Sequence, residues 1–332
     1  MNHRIGMDQV TPASQNRRKI KETSVAQASH VIGMIGIGQL GLPVAINLMR
    51  AGFRVVGFRR NDREAFVGAG GVALDSPAEV ARQADVLLMC LPGEKAQAEA
   101  LEGPLGVLAA LSPGKVVIEL GSYPREHKVA QARRIESAGA QMLEAEVSGS
   151  PPMVVERRAA LYIGGDEELF ERCKPVLEAI TAHHFHLGDI GSAVAMKLIA
   201  NALVAIHTLA AAEAMNLGAK AGFNPHRVAE VIRQGAGNSA MFTVRAPMMA
   251  ARSFSPAPGP FCTLEKYLRM GTDFARGMGC ATPLFSVAAP YFLRALEGGM
   301  GEEDISAVIK LIEADSMPQQ PPMTNREPGA GP

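Results

Sequence analysis

The chain has 332 residues, of which 47% are hydrophobic and 5% aromatic, and its 33 basic residues balance 33 acidic ones. This length predicts two domains, and a net charge of zero gives the chain no electrostatic reason to bind nucleic acid or a membrane surface. Four cysteines without a CxxC spacing indicate neither a zinc site nor a disulfide framework, so we expect buried thiols in a reducing, cytoplasmic compartment. A small molecule is therefore the expected ligand.

Apolar runs of strand length alternate with helical patterns through the first half of the chain. Strands are predicted at Val31–Ile35, Arg54–Phe58, Val86–Cys90, Val116–Glu119, Met142–Glu146, Leu161–Ile163 and His184–Leu187. Helices are predicted near Leu40–Arg50, Arg63–Val67, Ala96–Glu102, Glu126–Ala138 and Glu167–Ile180. Alternation of this kind is typical of βαβ units, so the predicted fold class is α/β, with a Rossmann-type doubly wound parallel sheet.

The pattern changes after Ser192, where the apolar spacing becomes helical throughout and begins with Ala193–Leu217. We predict a dinucleotide-binding domain over 30–192 and an all-α domain for dimerisation and substrate binding over 193–316, with the site in the cleft between them. The long apolar helix contains charged residues, so we predict no membrane span. The apolar surface expected on these helices predicts a homodimer or homotetramer.

The two ends of the chain differ from the rest in composition. Residues 1–29 lack the apolar stretch of a signal peptide, and residues 317–332 are rich in proline and poor in apolar side chains. Both segments are predicted to be disordered extensions.

The first chemical motif is Gly36-Ile37-Gly38-Gln39-Leu40-Gly41, which lies between the first predicted strand and the first predicted helix. In that context the glycines permit a tight turn and close approach of the backbone to a pyrophosphate at the helix N-terminus. A glycine-rich turn without a ligand is the alternative. The motif predicts a dinucleotide cofactor.

Arg59 and Arg60 follow the second predicted strand, where an acidic residue would bind the ribose 2′-hydroxyl of NAD. A cationic pair favours a 2′-phosphate, so NADP is the predicted cofactor in preference to NAD. Asp62 lies slightly further on, and one arginine stacking on adenine is the alternative.

Three more segments follow predicted strands, at the edge where an open α/β sheet binds its ligand. Leu91 and Pro92 follow the third strand and Ser122 follows the fourth. Ser148-Gly149-Ser150 follows the fifth, and consecutive backbone amides beside small residues can bind a carboxylate. A plain turn before the next prolines is the alternative for this last segment.

Lys197 and Asn201 lie four residues apart in the long predicted helix, on one face and about 6 Å apart along its axis. A lysine beside a nicotinamide in a partly dry cleft can exchange the proton of a substrate hydroxyl. A solvated helix charge is the alternative for Lys197. His183, His184 and His186 suggest a metal site, but no carboxylate or cysteine stands at a suitable spacing, so no metal is predicted.

Taken together, these motifs resemble the β-hydroxyacid dehydrogenase family, which includes the 3-hydroxyisobutyrate dehydrogenases. The resemblance covers about residues 30–315 and is most similar to the L-threonate dehydrogenase branch. Its segments are Gly33–Pro43, Cys90–Pro92, Val147–Ser150, Gly164–Asp166, Gly188–Gly191, Lys197 with Asn201, Glu213, Ala221–Gly222 and Lys266, with Asn238–Phe242 and Gly301–Asp304 pointing to the branch.

The resemblance implies an NAD(P)-dependent oxidoreductase that transfers a hydride between nicotinamide and a small hydroxy-carboxylate or its semialdehyde or keto form. It implies that Lys197 is the general acid/base, that Asn201 orients the substrate and that Ser148-Gly149-Ser150 binds its carboxylate. It also implies that Lys266 reaches the cofactor.

The chain departs from the family pattern at several positions. Gly121 and Ser122 replace a usual Ser and Thr, Ser150 replaces a Gly, Tyr267 replaces an acidic residue, and Arg157 with Arg158 stands where a Gly is usual. These departures leave room for a changed specificity.

Two other functions remain as alternatives. One is an imine reductase-like enzyme that uses NADPH, and the other is a catalytically silent dinucleotide-binding module. Retention of Lys197 counts against both of them.

Overall fold

The computed structural model describes residues 30–316. The disordered extensions predicted at 1–29 and 317–332 lie outside these described residues. The chain divides into two compact units between Lys197 and Leu198.

The first unit contains an eight-stranded sheet with the strand order β3-β2-β1-β4-β5-β6-β7-β8. Its strands are β1 Val31–Ile35, β2 Arg54–Phe58, β3 Val72–Ala73, β4 Val86–Met89, β5 Val116–Glu119, β6 Gln141–Ser148, β7 Ala160–Gly164 and β8 His183–His186. The predicted α/β class with a doubly wound sheet is therefore confirmed. The strand order reverses between β1 and β4, which is the point where such sheets bind dinucleotides.

The sheet is mostly parallel, and it departs from the predicted parallel arrangement at one pair. β6 and β7 are antiparallel, whereas the other neighbouring pairs are parallel. The connection from Gly149 to Ala159 contains only the short helix Pro151–Val155, which cannot span the sheet and return to its starting edge.

Helices cover both faces of this sheet. They are α1 Gly41–Arg50, α2 Glu64–Gly68, α3 Pro77–Gln83, α4 Glu94–Glu102, α5 Arg125–Ser137, α6 Pro151–Val155 and α7 Glu167–Ile180. The sequence analysis missed α3, α6 and the two-residue strand β3. The start of α3 carries a recognisable signal, because the Ser76 side chain accepts a hydrogen bond from the backbone N–H of Glu79 and Pro77 follows directly.

Helix α8, Ser192–Lys220, contains the division between the units, and the other helices of the second unit follow it. These are α9 Pro225–Ile232, α10 Ala240–Ala251, α11 Phe261–Gly277, α12 Pro283–Glu297 and α13 Ile309–Asp315. The predicted C-terminal helical domain is confirmed.

A buried ion pair lies in the core of the second unit. The guanidinium of Arg245 donates to the carboxylate of Asp304, which is fully buried. Asp304 also accepts hydrogen bonds from the backbone N–H of Gly259 at 3.1 Å and of Ser306 at 2.9 Å. Its carboxylate therefore fixes two backbone segments as well as one side chain.

Among the described residues, α8 is the one helix whose length and apolar composition would allow it to cross a membrane. In its most apolar window, 39% of the residues are buried by the rest of the protein. Core helices of soluble proteins meet the same criteria of length and composition, so these two properties alone assign no membrane role.

The prediction of four buried thiols is wrong for two of the cysteines. Cys173 is buried and Cys90 is half-buried, but Cys262 and Cys280 are exposed. Cys262 stands in the first turn of α11 and Cys280 lies beyond its end, where packing covers neither side chain. Burial raises the pKa of the Cys173 thiol to about 11.

Candidate active site

The loop after β1 is shaped by its glycines. Gly36 has a φ of +94°, which an L side chain rarely adopts, and a Cβ at Gly41 would overlap the carbonyl oxygen of Gly36. A Cβ at Gly38, in contrast, would meet no atom of the described residues within 4 Å. Gly36 and Gly41 therefore allow α1 to start tightly against β1, while Gly38 leaves open space beside the first turn of α1.

This open space suits the pyrophosphate of a dinucleotide, because the N-terminus of the ten-residue helix α1 offers backbone N–H groups and a positive dipole end. The side chain of Ile37 is buried in the core, Leu40 is half-buried and Gln39 is exposed. Of the six predicted motif residues, Ile37 can therefore contribute only its backbone to a ligand. The loop as a whole fits the predicted cofactor.

The two arginines after β2 both have acidic partners. The guanidinium of Arg59 lies 3.6 Å from the carboxylate of Asp62, and that of Arg60 lies 3.3 Å from the carboxylate of Glu99. Arg60 borders a groove of about 500 Å³. The groove is lined by Arg60, Pro92, Gly93, Glu94, Lys95, Ala96 and Glu99. The structure thus brings the predicted residues Arg60 and Pro92 to one groove, whereas Arg59 is not among its lining residues.

The loops after β4 and β5 are joined by Tyr123. Its buried hydroxyl donates to the carbonyl oxygen of Leu91 at 3.1 Å, and a Cβ at Gly121 would overlap this hydroxyl. Burial, with the nearby Glu119 carboxyl adding to it, raises the pKa of Tyr123, so the hydroxyl stays a donor. The departure at Gly121 therefore has a packing reason, since the tyrosine ring occupies the space of a side chain.

Ser122 belongs to a buried polar cluster that the sequence analysis did not predict. The hydroxyl of Ser122 donates to the Glu146 carboxylate, which also accepts from the ammonium of Lys128. The Lys128 ammonium lies 3.2 Å from the Glu144 carboxylate as well. Lys128, Glu144 and Glu146 are all fully buried. The sequence contained one signal for this cluster. Glu144 and Glu146 occupy alternate positions of a predicted strand, and the apolar residues on both sides of them predict that the strand is buried.

Glu119 lies at the end of β5 in the same cluster. Burial raises the pKa of its carboxyl to about 7, although a hydrogen bond from Gln131 and the charge of Lys128 act in the opposite direction. Its carboxylate accepts from the backbone N–H of Gly121 at 2.7 Å and from the side-chain amide of Gln131 at 2.5 Å. For Lys128, burial lowers the pKa, but Glu146 and Glu144 raise it by more, so the pKa lies above its ordinary value.

The end of β6 brings together two of the predicted site segments. Lys197 is only 8% exposed, and its ammonium donates to the carbonyl oxygen of Val147 at 2.7 Å. Ser148-Gly149-Ser150 follows directly, with Gly149 exposed and both serines half-buried. A Cβ at Gly149 would lie 2.9 Å from the Cβ of Ala159, so this turn leaves no space for a larger residue. Lys197 is thus a buried helix residue and not a solvated one.

Two predicted residues lie in the second unit. Asn201 is half-buried on α8, four residues after Lys197. Lys266 is half-buried on α11, and its ammonium lies 5.0 Å from the ring centroid of Tyr267. The roles expected of both residues remain predictions.

The remaining candidates are the histidines of β8 and two arginines. The rings of His184 and His186 pack against Phe170, at centroid distances of 6.0 Å and 5.2 Å. Within residues 30–316, no group of three or more His, Cys, Asp or Glu residues could hold a metal ion. Arg157 and Arg158 are exposed, and Arg158 forms an ion pair with Glu156.

A doubly wound sheet with an open glycine loop at its switch point, together with a buried lysine held at the end of β6, is typical of a nicotinamide-dependent oxidoreductase. Comparison with known families agrees. Residues 31–188 match the family described as the NAD binding domain of 6-phosphogluconate dehydrogenase. Residues 191–312 match the family described as NAD-binding of NADP-dependent 3-hydroxyisobutyrate dehydrogenase. The chain belongs to the β-hydroxyacid dehydrogenase family.

Individual relatives support the same assignment. The chain is 36% identical to an L-threonate dehydrogenase of Cupriavidus necator, over 87% of this chain and 98% of the relative. It is 30% identical to glyoxylate/succinic semialdehyde reductase 2 of Arabidopsis thaliana, over 85% and 79%. A solved structure of 3-hydroxyisobutyrate dehydrogenase from Salmonella typhimurium matches with a TM-score of 0.78 and 28% identity, over 85% of this chain and 100% of that one. The predicted family and hydroxy-acid oxidoreductase class are confirmed.

Proposed function

We propose that this enzyme oxidises a small hydroxy-carboxylate, or reduces its semialdehyde or keto form, with Lys197 as the general acid/base. The observation that carries the proposal is the Lys197 ammonium, which is buried and held 2.7 Å from the Val147 carbonyl oxygen, one residue before Ser148-Gly149-Ser150. When a hydride leaves a carbinol carbon, the hydroxyl proton needs an acceptor, which Lys197 supplies as the neutral amine, and in the reductive direction the Lys197 ammonium returns that proton.

The other predicted residues have roles that follow from their chemistry. A bound nicotinamide dinucleotide supplies the hydride acceptor or donor. Gly36, Gly38 and Gly41 would hold its pyrophosphate, and the backbone amides of Ser148-Gly149-Ser150 would bind the substrate carboxylate. Asn201 would orient the substrate hydroxyl from the same helix as Lys197.

The substrate expected first is a four-carbon sugar acid such as L-threonate. The similarity to an L-threonate dehydrogenase supports this choice, and so do the segments Asn238–Phe242 and Gly301–Asp304. We expect NADP⁺ or NAD⁺ reduction, followed by absorbance, to be fastest with one acid of a panel containing L-threonate, 3-hydroxyisobutyrate, glycerate and 4-hydroxybutyrate. If no acid is oxidised and no semialdehyde is reduced with either cofactor, the proposal fails, and reduction of a cyclic imine would favour the imine reductase alternative.

We further propose that NADP is preferred over NAD because Arg60 binds the 2′-phosphate. Arg60→Ala is expected to raise the Kd for NADPH by about 10-fold, as for the loss of one charge-assisted hydrogen bond, and to leave the Kd for NADH within about 2-fold. Glu99→Gln removes the carboxylate that competes for the same guanidinium, so it should tighten NADPH binding. Fluorescence titration with both cofactors measures these values. Equal weakening of NADPH and NADH by Arg60→Ala would contradict this role.

The proposed setting is a cytoplasmic homodimer or homotetramer joined through the helical unit. Several large apolar side chains of this unit are exposed in the single chain, which supports an interface there. These are Leu203, Leu217, Phe223, Val231, Val244, Met278, Leu284 and Val287.

A further inference from the structure

The buried group of Lys128, Glu144 and Glu146 places two carboxylates against a single ammonium. None of these three side chains is exposed to solvent. Removing charges from water is costly, and an apolar core of the same volume would often be at least as stable. Stability alone is therefore a poor explanation for these three residues, which raises the question of what else their contacts hold in place.

One oxygen of Glu144 holds the start of α8. Its Oε1 accepts hydrogen bonds from the backbone N–H of Gly191 at 2.6 Å and of Ala193 at 2.8 Å. Gly164 on β7 makes this approach possible, because a Cβ there would lie 2.5 Å from the same oxygen and 2.8 Å from the Ser192 hydroxyl. A side chain of β6 thus fixes where the helix begins.

The helix is attached to β6 a second time by Lys197, whose ammonium donates to the Val147 carbonyl oxygen at 2.7 Å. Glu144 and Val147 are three residues apart, about 10 Å along the strand, and Ala193 and Lys197 are about 6 Å apart along the helix. Because the helix is attached to β6 at both points, a shift of the helix start would displace the Lys197 ammonium from the Val147 carbonyl oxygen.

Lys128 connects this arrangement to the loop after β5. Its ammonium contacts both Glu144 and Glu146, and the Glu146 carboxylate accepts a hydrogen bond from the Ser122 hydroxyl. Lys128 therefore pairs with Glu144, which holds the start of the helix, and with Glu146, which holds Ser122. The Lys128 ammonium also offsets part of the negative charge of Glu146, which would otherwise repel the Glu144 carboxylate.

We infer that Glu144 is a positioning residue for Lys197, and that Lys128 is the counter-ion that keeps Glu144 in place at the start of α8. The inference rests on the proposed function, because Lys197 is the proposed acid/base. Glu144 is fully buried, and it acts only through the helix.

The test compares Glu144→Gln with Asp304→Asn in the full chain. Asp304 is a matched control, since its carboxylate also takes two backbone N–H groups and one buried cation, but in the second unit. Glu144→Gln is expected to lower kcat by about 10- to 100-fold, the range for a small misplacement of a reacting group, with the Kd for NADPH within about 3-fold. Asp304→Asn should lower Tm to a similar extent while kcat per folded molecule stays within about 2-fold of wild type.

A readout independent of turnover is the rate at which acetic anhydride labels Lys197, measured by mass spectrometry. Glu144→Gln should change this rate several-fold, and Asp304→Asn should not. If Glu144→Gln folds poorly, Glu144→Asp keeps the charge beside Lys128 but withdraws the carboxylate from the two amides, and the same kinetic loss is expected.

Two outcomes are distinguishable. Wild-type kcat and wild-type labelling of Lys197 in both Glu144 variants, with only Tm lowered, would overturn the positioning role. Absence of hydroxyacid turnover in the wild-type enzyme would contradict the proposed function, whereas the labelling rate would still decide whether Glu144 holds Lys197.

Discussion

Replacing Lys197 with alanine is expected to lower kcat/KM for the hydroxyacid by about 10²-fold or more, which is the usual contribution of a positioned general acid/base. The loss should fall mainly on kcat, because the ammonium contacts the Val147 carbonyl in the protein and exchanges a proton only during the reaction. Initial rates at saturating cofactor, together with a fluorescence titration of NADPH, separate this loss from a loss of cofactor binding.

Lys197→Arg distinguishes a proton-transferring group from a merely positive one. Arginine keeps the charge and the hydrogen-bond donors, but it does not give up its proton in proteins, so this variant should be nearly as inactive as Lys197→Ala. Lys220→Ala is a suitable control, because Lys220 is an exposed lysine at the other end of the same helix. Near-wild-type activity of Lys197→Arg, or a failure of added methylamine to restore any activity to Lys197→Ala, would count against proton transfer by this side chain.

The parts of the fold that the sequence predicted are those with a strong local pattern. β1, β2, β5 and α7 have the predicted bounds, because each is a continuous apolar run or an amphipathic repeat between clear turn residues. The missed elements, β3, α3 and α6, have two to seven residues, which is too short for a period to emerge.

The site divides in the same way between local and non-local features. Gly36, Gly38 and Gly41 are recognisable because their roles depend on neighbours in the sequence. The partnership of Lys128 with Glu144 and Glu146 depends on how α5 packs on β6. Neither a periodicity nor a motif indicates that packing. The sequence analysis therefore placed these three residues in the correct helix and strand but predicted no function for them.

The explanation of Gly121 depends equally on a contact that becomes visible only in three dimensions. The sequence marked Gly121 as a departure from the family, and the ring of Tyr123, two residues later, fills the space that a side chain would need. The two positions are therefore best changed together. A serine introduced at Gly121 alone would collide with the tyrosine hydroxyl.

The Glu119 carboxyl should lower the stability of the protein progressively as the pH rises from about 5 to about 8, and Glu119→Gln should remove this contribution. The pKa of Glu119 is raised from 4.5 to about 7, because the carboxyl is fully buried. Below about pH 4.5 it is protonated in both the folded and the unfolded state and has no effect. Between about 4.5 and 7 the unfolded state loses the proton first, so unfolding becomes easier, and above about 7 the cost stays constant at on the order of 3 kcal/mol.

The free energy of unfolding of Glu119→Gln, relative to wild type, is therefore expected to rise by on the order of 2 to 3 kcal/mol between pH 5 and pH 8. The introduced amide cannot ionise, and it offers a donor to the buried side-chain oxygen of Gln131, which accepts no hydrogen bond from any described residue. Urea unfolding at both pH values measures the difference, with the exposed Glu126→Gln on α5 as the control. A difference that does not change with pH would mean that Glu119 keeps an ordinary acidity despite its burial, and that Lys128 and the hydrogen bonds from Gly121 and Gln131 compensate its desolvation.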